Sequence, residues 1–143
     1  MRFTKAEDYG LYGVLYLAEQ KNGRVVPLSE VSKEQDVPEK FLAKIFQSLS
    51  KAGLVKSHRG VKGGFTLAKA PEEITVRELL ETIQGPYVLA KCIHDHKECK
   101  KSENCPVRHL LNITLHCILD KFENYTLADM LKWKANPELM QIQ

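Results

Sequence analysis

Apolar positions near the start of the chain recur at helical spacing. Tyr9, Tyr12 and Tyr16 alternate with Val14, Leu15, Leu17 and Ala18, one face of an amphipathic helix. Thr4 is a suitable N-cap, Glu7 three residues on completes a capping-box pattern, and Gly23 marks the stop. The tyrosine stripe reads as core. A second helix fits 28–35 with Val31 inward, and Asp36-Val37-Pro38 makes a turn. A third helix fits 38–52. Pro38 suits its first turn, Phe41, Leu42, Ile45, Phe46 and Leu49 form its apolar face, and Gly53 suits its C-terminal cap. Lys40, Lys44, Gln47 and Lys51 lie off that face.

The period then changes. Residues 54–58 read as a strand, Arg59 to Gly64 as a glycine-rich tip, and 65–68 as a returning strand. After Pro71, Thr75 caps a fourth helix over 76–83, with Val76, Leu79, Leu80 and Ile83 inward. Residues 84–105 lose periodicity. From Pro106 a long helix carries Val107, Leu110, Leu111, Thr114, Leu115, Ile118, Leu119 and Phe122 as a near-continuous apolar stripe, and a short helix fits 126–134. Helix, helix, turn, helix and hairpin is the order of a winged helix-turn-helix. The expected fold is therefore mainly α with a small β-hairpin wing. It divides into a DNA-binding region (1–70), a linking helix with a cysteine-bearing loop (71–105), and a dimerisation helix with a C-terminal helix (106–143). A long apolar stripe protruding from a small domain needs cover, and a two-fold partner supplies it most simply. Packing within the same chain is the alternative.

Composition narrows the class. The chain has 143 residues, 43% hydrophobic and 27% charged, an ordinary globular composition. No run of 18 apolar residues marks a membrane span, and the polar start MRFTKAEDYG lacks a signal-peptide core. A cytoplasmic location with no membrane partner is the expectation. Net charge is only +3, but its distribution is uneven. Residues 40–69 hold seven cations (Lys40, Lys44, Lys51, Lys56, Arg59, Lys62 and Lys69) and no acid, a local field that attracts a polyanion. In a helix-turn-helix the second helix of the motif enters the major groove. Here its exposed N-terminal half offers Glu39, Lys40, Ala43 and Lys44. Arg59, a long cation among glycines, suits the minor groove, with Ser57, His58 and Lys62 as phosphate neighbours. A dimer would present two such helices to a roughly palindromic site in double-stranded DNA.

The four cysteines add chemistry. Cys117 sits within a long apolar helix and reads as a buried structural thiol. Cys92, Cys99 and Cys105 lie in a polar, lysine-rich segment with Lys91, Lys97, Lys100 and Lys101. Their spacing lets a loop wrap one centre but is not the short spacing of a zinc finger. Thiolates select zinc, copper(I) or iron–sulfur clusters. A fourth ligand would come from His94, His96, His109, or the N-terminal pair Glu7 and Asp8. No Cys-x-x-Cys, phosphate loop or Ser/His/Asp constellation marks an enzyme.

Five segments together resemble the Rrf2 family of bacterial transcription regulators over essentially the whole chain. They are Met-Arg-Phe-Thr-Lys at the start, Phe41 to Val55, the wing from Ser57 to Phe65, Ile74 to Leu80, and the three-cysteine loop. The resemblance implies a homodimeric regulator crossed through the long helix, and Arg2, Phe41 and Gly60 join the expected DNA-contacting set. In cluster-bearing members the loop cysteines hold an iron–sulfur cluster, which assigns Cys92, Cys99 and Cys105 as ligands. The IscR-like branch carries [2Fe-2S] and has a histidine three residues after the last cysteine. Here that position is Arg108, with His109 one step further, a rotation of about 100° on a helix. The NsrR-like branch can use an N-terminal aspartate of the other subunit on [4Fe-4S], and Asp8 occupies that position. Asp8 is therefore preferred over His109. The expected activity is DNA binding gated by a cluster that reports redox, nitric oxide or iron status. The alternative is a cluster-free or zinc-stabilised winged-helix regulator.

Overall fold

The computed structural model describes residues 2–95, 97, 99 and 102–141. Its helices are α1 (Lys5–Glu19), α2 (Leu28–Gln35), α3 (Glu39–Lys51), α4 (Val76–Gln84), α5 (Lys91–His94), α6 (Pro106–Asn124) and α7 (Leu127–Ala135). Strands β1 (Val55–His58) and β2 (Gly64–Leu67) lie between α3 and α4. They form one antiparallel hairpin, with Val55 opposite Leu67 and His58 opposite Gly64. The fold is mainly helical with a β-hairpin wing, in the order the sequence predicts.

Local chemistry sets the helix ends. The Thr4 N–H donates to Glu7 Oε2 at 2.7 Å and the Glu7 N–H donates to Thr4 Oγ1 at 3.3 Å, closing the capping box. Thr75 and Thr126 cap α4 and α7 by accepting from the Glu78 and Asp129 N–H groups. Gly53 ends α3 at φ 76°, where a residue without Cβ is unstrained. The Leu54 N–H then reaches the Leu49 carbonyl at 2.9 Å, satisfying an orphan acceptor of the last turn. Between α2 and α3, Asp36 takes φ 50°, a conformation that short polar side chains tolerate.

Packing runs outward from α1. Gly10 and Gly13 put no side chain on its inner face, so Ile83 of α4 and Ile45 of α3 close on Gly10, and Phe46 closes on Gly13. A single core joins Val14, Val26, Val31, Leu42, Phe46, Leu49, Leu79 and Leu127. This close approach explains why the tyrosine stripe joins the core only in part, Tyr9 and Tyr16 packing at its edge. The glycine, leucine and valine positions of α1 face inward, Tyr9 and Tyr16 are half-buried at its flanks, and Tyr12 is exposed. Phe41 likewise leaves the apolar face of α3. It is 58% exposed, its ring tilted against Tyr9 at a centroid distance of 6.4 Å.

The C-terminal helices return to the same core. Val76 N–H donates to the Tyr125 carbonyl and Leu127 N–H to the Ile74 carbonyl, each at 2.9 Å. Lys134 pairs with Glu19 at 2.6 Å, holding α7 on α1. The expected single stripe of α6 divides along its length. Leu115 is buried, and Phe122 meets Tyr87 at 5.8 Å between ring centroids. Val107, Leu110 and Ile113 face outward, 62%, 62% and 49% exposed. Cys117 is exposed rather than a buried thiol, because it lies two turns beyond Leu110 on the outward side. The 84–105 stretch is not wholly irregular either. It contains α5 and a 3-10 turn at Ser102–Asn104. No helix among the described residues is long and apolar enough to cross a membrane.

Candidate nucleic-acid interface and cysteine segment

The surface of α3 follows from helical geometry. Lys40, Lys44, Gln47 and Lys51 are all exposed, and steps of four, three and four residues keep them within about 60° of one another. They form a basic ridge opposite the buried Leu42, Ile45, Phe46 and Leu49. Glu39 and Phe41 are exposed beside it in the first turn. The half-buried Ala43 completes the exposed side of the N-terminal half.

The wing is tied down at its base and open at its tip. Phe65 exchanges two backbone hydrogen bonds with Val26, at 2.8 and 2.9 Å, and its ring packs edge-on against Phe46 at 5.0 Å. A Cβ on Gly64 would overlap the Val26 carbonyl, so only glycine admits this approach. A ring nitrogen of His58 lies 2.9 Å from Thr66 Oγ1 across the hairpin, and His58 is half-buried rather than free at the surface. The tip turns through Gly60 at φ 107°, closed by Gly63 N–H to the Gly60 carbonyl at 2.9 Å. Ser57, Arg59, Gly60 and Lys62 are exposed around it, and Arg2, near the N-terminus, is also exposed. Behind the motif, α2 is fixed to α1. The Tyr16 hydroxyl donates to Glu30 at 2.7 Å, and Arg24 grips the same carboxylate at 2.5 and 3.2 Å. The Arg24 guanidinium, with the Tyr16 hydroxyl, holds the Glu30 carboxyl down to about 2. The Tyr16 phenol is raised in turn, chiefly by its bond to Glu30.

Two residues of this surface were missed in the set assigned from the sequence. Gln47 and Lys51 line a crevice with Ser50, Ser57 and Phe65, between α3 and the wing. The signal was available in the alternating four- and three-residue spacing from Lys40, but the hairpin opposite was not.

The cysteines occupy the segment between α4 and α6. Cys92 is on α5, Cys105 is the N-cap residue of α6, and Cys99 lies between. All three are free and half-buried, and α5 packs on α6. Cys105, Arg108 and His109 line one crevice of about 510 Å³. Asp8 is elsewhere. It is exposed on α1, at the rim of an apolar groove of about 470 Å³ lined by Leu11, Tyr12, Leu15, Trp133 and Met140. Glu7 is fully buried in its capping box, its Oε1 without a hydrogen-bond partner among the described residues. The side chain of His94, and all of His96, Lys100 and Lys101, lie outside the described residues. Among the described residues, no three His, Cys, Asp or Glu side chains form a group that could hold a metal ion. The donor chemistry nonetheless fits a thiolate-held group: three unpaired thiols on one short segment.

The family model Rrf2, described as an iron-dependent transcriptional regulator, matches residues 3–133. The chain belongs to the Rrf2 family. The HTH-type transcriptional regulator NsrR of Bacillus licheniformis is 31% identical over 132 residues, covering 92% of each chain. The structure of T. potens IscR superposes with a TM-score of 0.76 at 26% identity, covering all of this chain and 93% of that one. CymR, the global cysteine regulator of B. subtilis, shares the fold, with a TM-score of 0.79 at 24% identity over 93% and 98% of the two chains. This Rrf2 protein is a DNA-binding transcription regulator, not an enzyme.

Proposed function

We propose that this Rrf2 regulator is a homodimer whose affinity for a roughly palindromic operator is gated by an iron–sulfur cluster, [4Fe-4S] or [2Fe-2S]. The observation that carries this reading is the three free thiols on the segment joining α4 to α6. Cys92, Cys99 and Cys105 would hold the cluster, and Asp8 of the second chain would complete its ligands. When bound, a cluster supplies a centre that reacts with oxidants and nitric oxide. Two features of the surface support the dimer. The outward face of α6 starts at Val107, two residues beyond Cys105, and the apolar groove on α1 has Asp8 at its rim. Docking one on the other would bring the cysteine segment of one chain toward Asp8 of its mate.

The chain's own packing offers the coupling. Asp8 is on α1, and α1 bears on the recognition helix through Gly13 and Phe46. A ligand on Asp8 would therefore bias the seat of α3, while ordering of the cysteine segment would set how α6 crosses its partner. In DNA contact, Lys40, Lys44 and Phe41 of α3 face the major groove, Arg59 enters the minor groove, and Arg2, Glu39, Ser57, His58, Gly60 and Lys62 lie at the backbone or the groove edges. A cytoplasmic location accompanies this function.

Purification without oxygen, with visible absorption and iron and sulfide assays, tests the cluster. Brown protein with matched iron and sulfide, lost in Cys99→Ser, is the expected result. Colourless protein that still binds DNA, or zinc without sulfide, would overturn the cluster reading and leave the regulator intact.

A further inference from the structure

We infer that His116 and Asp120, one turn apart on α6, form a site for a divalent transition-metal ion of the zinc class. The site lies outside the cysteine segment and the DNA-contacting surface, and it does not depend on the cluster reading.

Helical geometry brings the two donors together. Residues four apart differ by about 40° around the axis, with about 5–6 Å between their Cβ atoms. Both side chains are exposed. Paired donors at this spacing on one helix face hold zinc in the two-histidine arrangement of metalloproteases. Leu110 and Cys117 lie about 60–120° further round, so the pair stands at the edge of the outward apolar face rather than within it.

Three observations point to a cation. First, the His116 ring is oriented. Its Nδ1 lies 2.8 Å from the Asn112 carbonyl. A carbonyl only accepts, so Nδ1 carries the proton, and in the neutral ring Nε2 keeps its lone pair. A bond from the other ring nitrogen to a backbone carbonyl is a usual support of a metal-bound histidine. Second, the Asp120 carboxylate has no hydrogen bond or ion pair among the described residues, whereas Glu123 pairs with Arg77 and Asp129 with Lys132. Third, no Lys or Arg stands three or four positions from either donor. Those places hold Asn112, Ile113, Cys117, Leu119, Glu123 and Asn124, so nothing on this face competes with an incoming cation.

The donor types select the ion. Calcium and magnesium take oxygen ligands, and an imidazole beside a carboxylate favours zinc and its neighbours. Among the described residues no third His, Cys, Asp or Glu side chain completes the group, so water fills the remaining positions. The site is therefore labile, unlike a structural zinc site closed by four protein ligands.

Zinc binding by the full chain, followed by competition with a chromophoric chelator, tests the site. Cys92, Cys99, Cys105 and Cys117 are replaced by Ser so that no thiolate competes. This chain is expected to take up about one zinc ion. His116→Ala is expected to weaken uptake by more than about 100-fold, since losing even an outer partner of a ligand costs about 10–100-fold. Asp120→Asn is expected to weaken it by about tenfold or more, and His109→Ala, two turns away, to leave it unchanged. A cysteine-free chain that binds no zinc, or that binds it equally well after His116→Ala, overturns the site. If circular dichroism shows that chain unfolded, the wild-type protein supplies the measurement. Its zinc isotherm is expected to lose a weaker class of site in His116→Ala while keeping the tight thiol-dependent class, and an unaltered isotherm overturns the inference.

Discussion

Replacing Leu110 by glutamate probes the proposed dimer at one of the two most exposed apolar positions of α6. Burying an aliphatic side chain completely contributes about 1.5–3 kcal/mol. Leu110 retains 62% of its exposure on α6, so covering it against a partner would contribute about 1–2 kcal/mol. Two-fold symmetry counts every interface residue twice, giving about 2–4 kcal/mol per dimer. At about 1.4 kcal/mol per tenfold, the dimer dissociation constant is expected to rise by a factor of about 30 to 700. Desolvating the new carboxylate pushes it further in the same direction. The monomer is expected to keep its fold, since α6 packs inward through Leu115 and Phe122, and exposed substitutions cost within about 0.5 kcal/mol. Sedimentation velocity over a concentration series measures the constant, and far-ultraviolet circular dichroism checks the fold. A folded Leu110→Glu protein that dimerises as tightly as wild type would refute the placement of the interface on this face.

Two further outcomes follow from geometry already given. Glu30 ionises at about 2 in the folded chain, below its ordinary value of 4.5. Its contribution is therefore complete above about pH 4.5 and is lost as pH falls toward 2. Calorimetric melting of Glu30→Gln is expected to fall less steeply over that window than wild type, and parallel curves would contradict the Arg24–Glu30–Tyr16 network. In Gly64→Ala the new Cβ meets the backbone carbonyl of Val26, which cannot swing aside as a flexible side chain would. Urea unfolding is expected to show a loss of about 1–3 kcal/mol, with DNA affinity falling as the wing base detaches. An unshifted midpoint would show that Val26 does not pin the wing.

Much of the molecule is legible along the chain because its signals are local. Thr4 with Glu7, Gly53, Thr75 and Thr126 each fix a helix end by bonds to residues at most a few positions away, and such bonds need no tertiary partner. The glycines at 60, 63 and 64 announce the wing for the same reason. The family could be named from motif order, and with it the candidate DNA and cysteine residues. Which side of each helix faces inward is a different kind of fact. Gly10 and Gly13 let α3 and α4 close on one side of α1, which leaves Tyr12 and Phe41 outside although their period marks them as core. On α6, apolar residues spaced for one stripe divide between an inner half that meets α4 and Tyr87 and an outer half that stays exposed among the described residues. Cys117 goes outward with the latter. The pairing of Lys51 with Ser57, and of Asp8 with Trp133 and Met140 from the far end of the chain, arises only when separate elements pack. Periodicity states that a helix has an apolar face. Which neighbour covers it is settled by volume and close approach between residues distant in sequence.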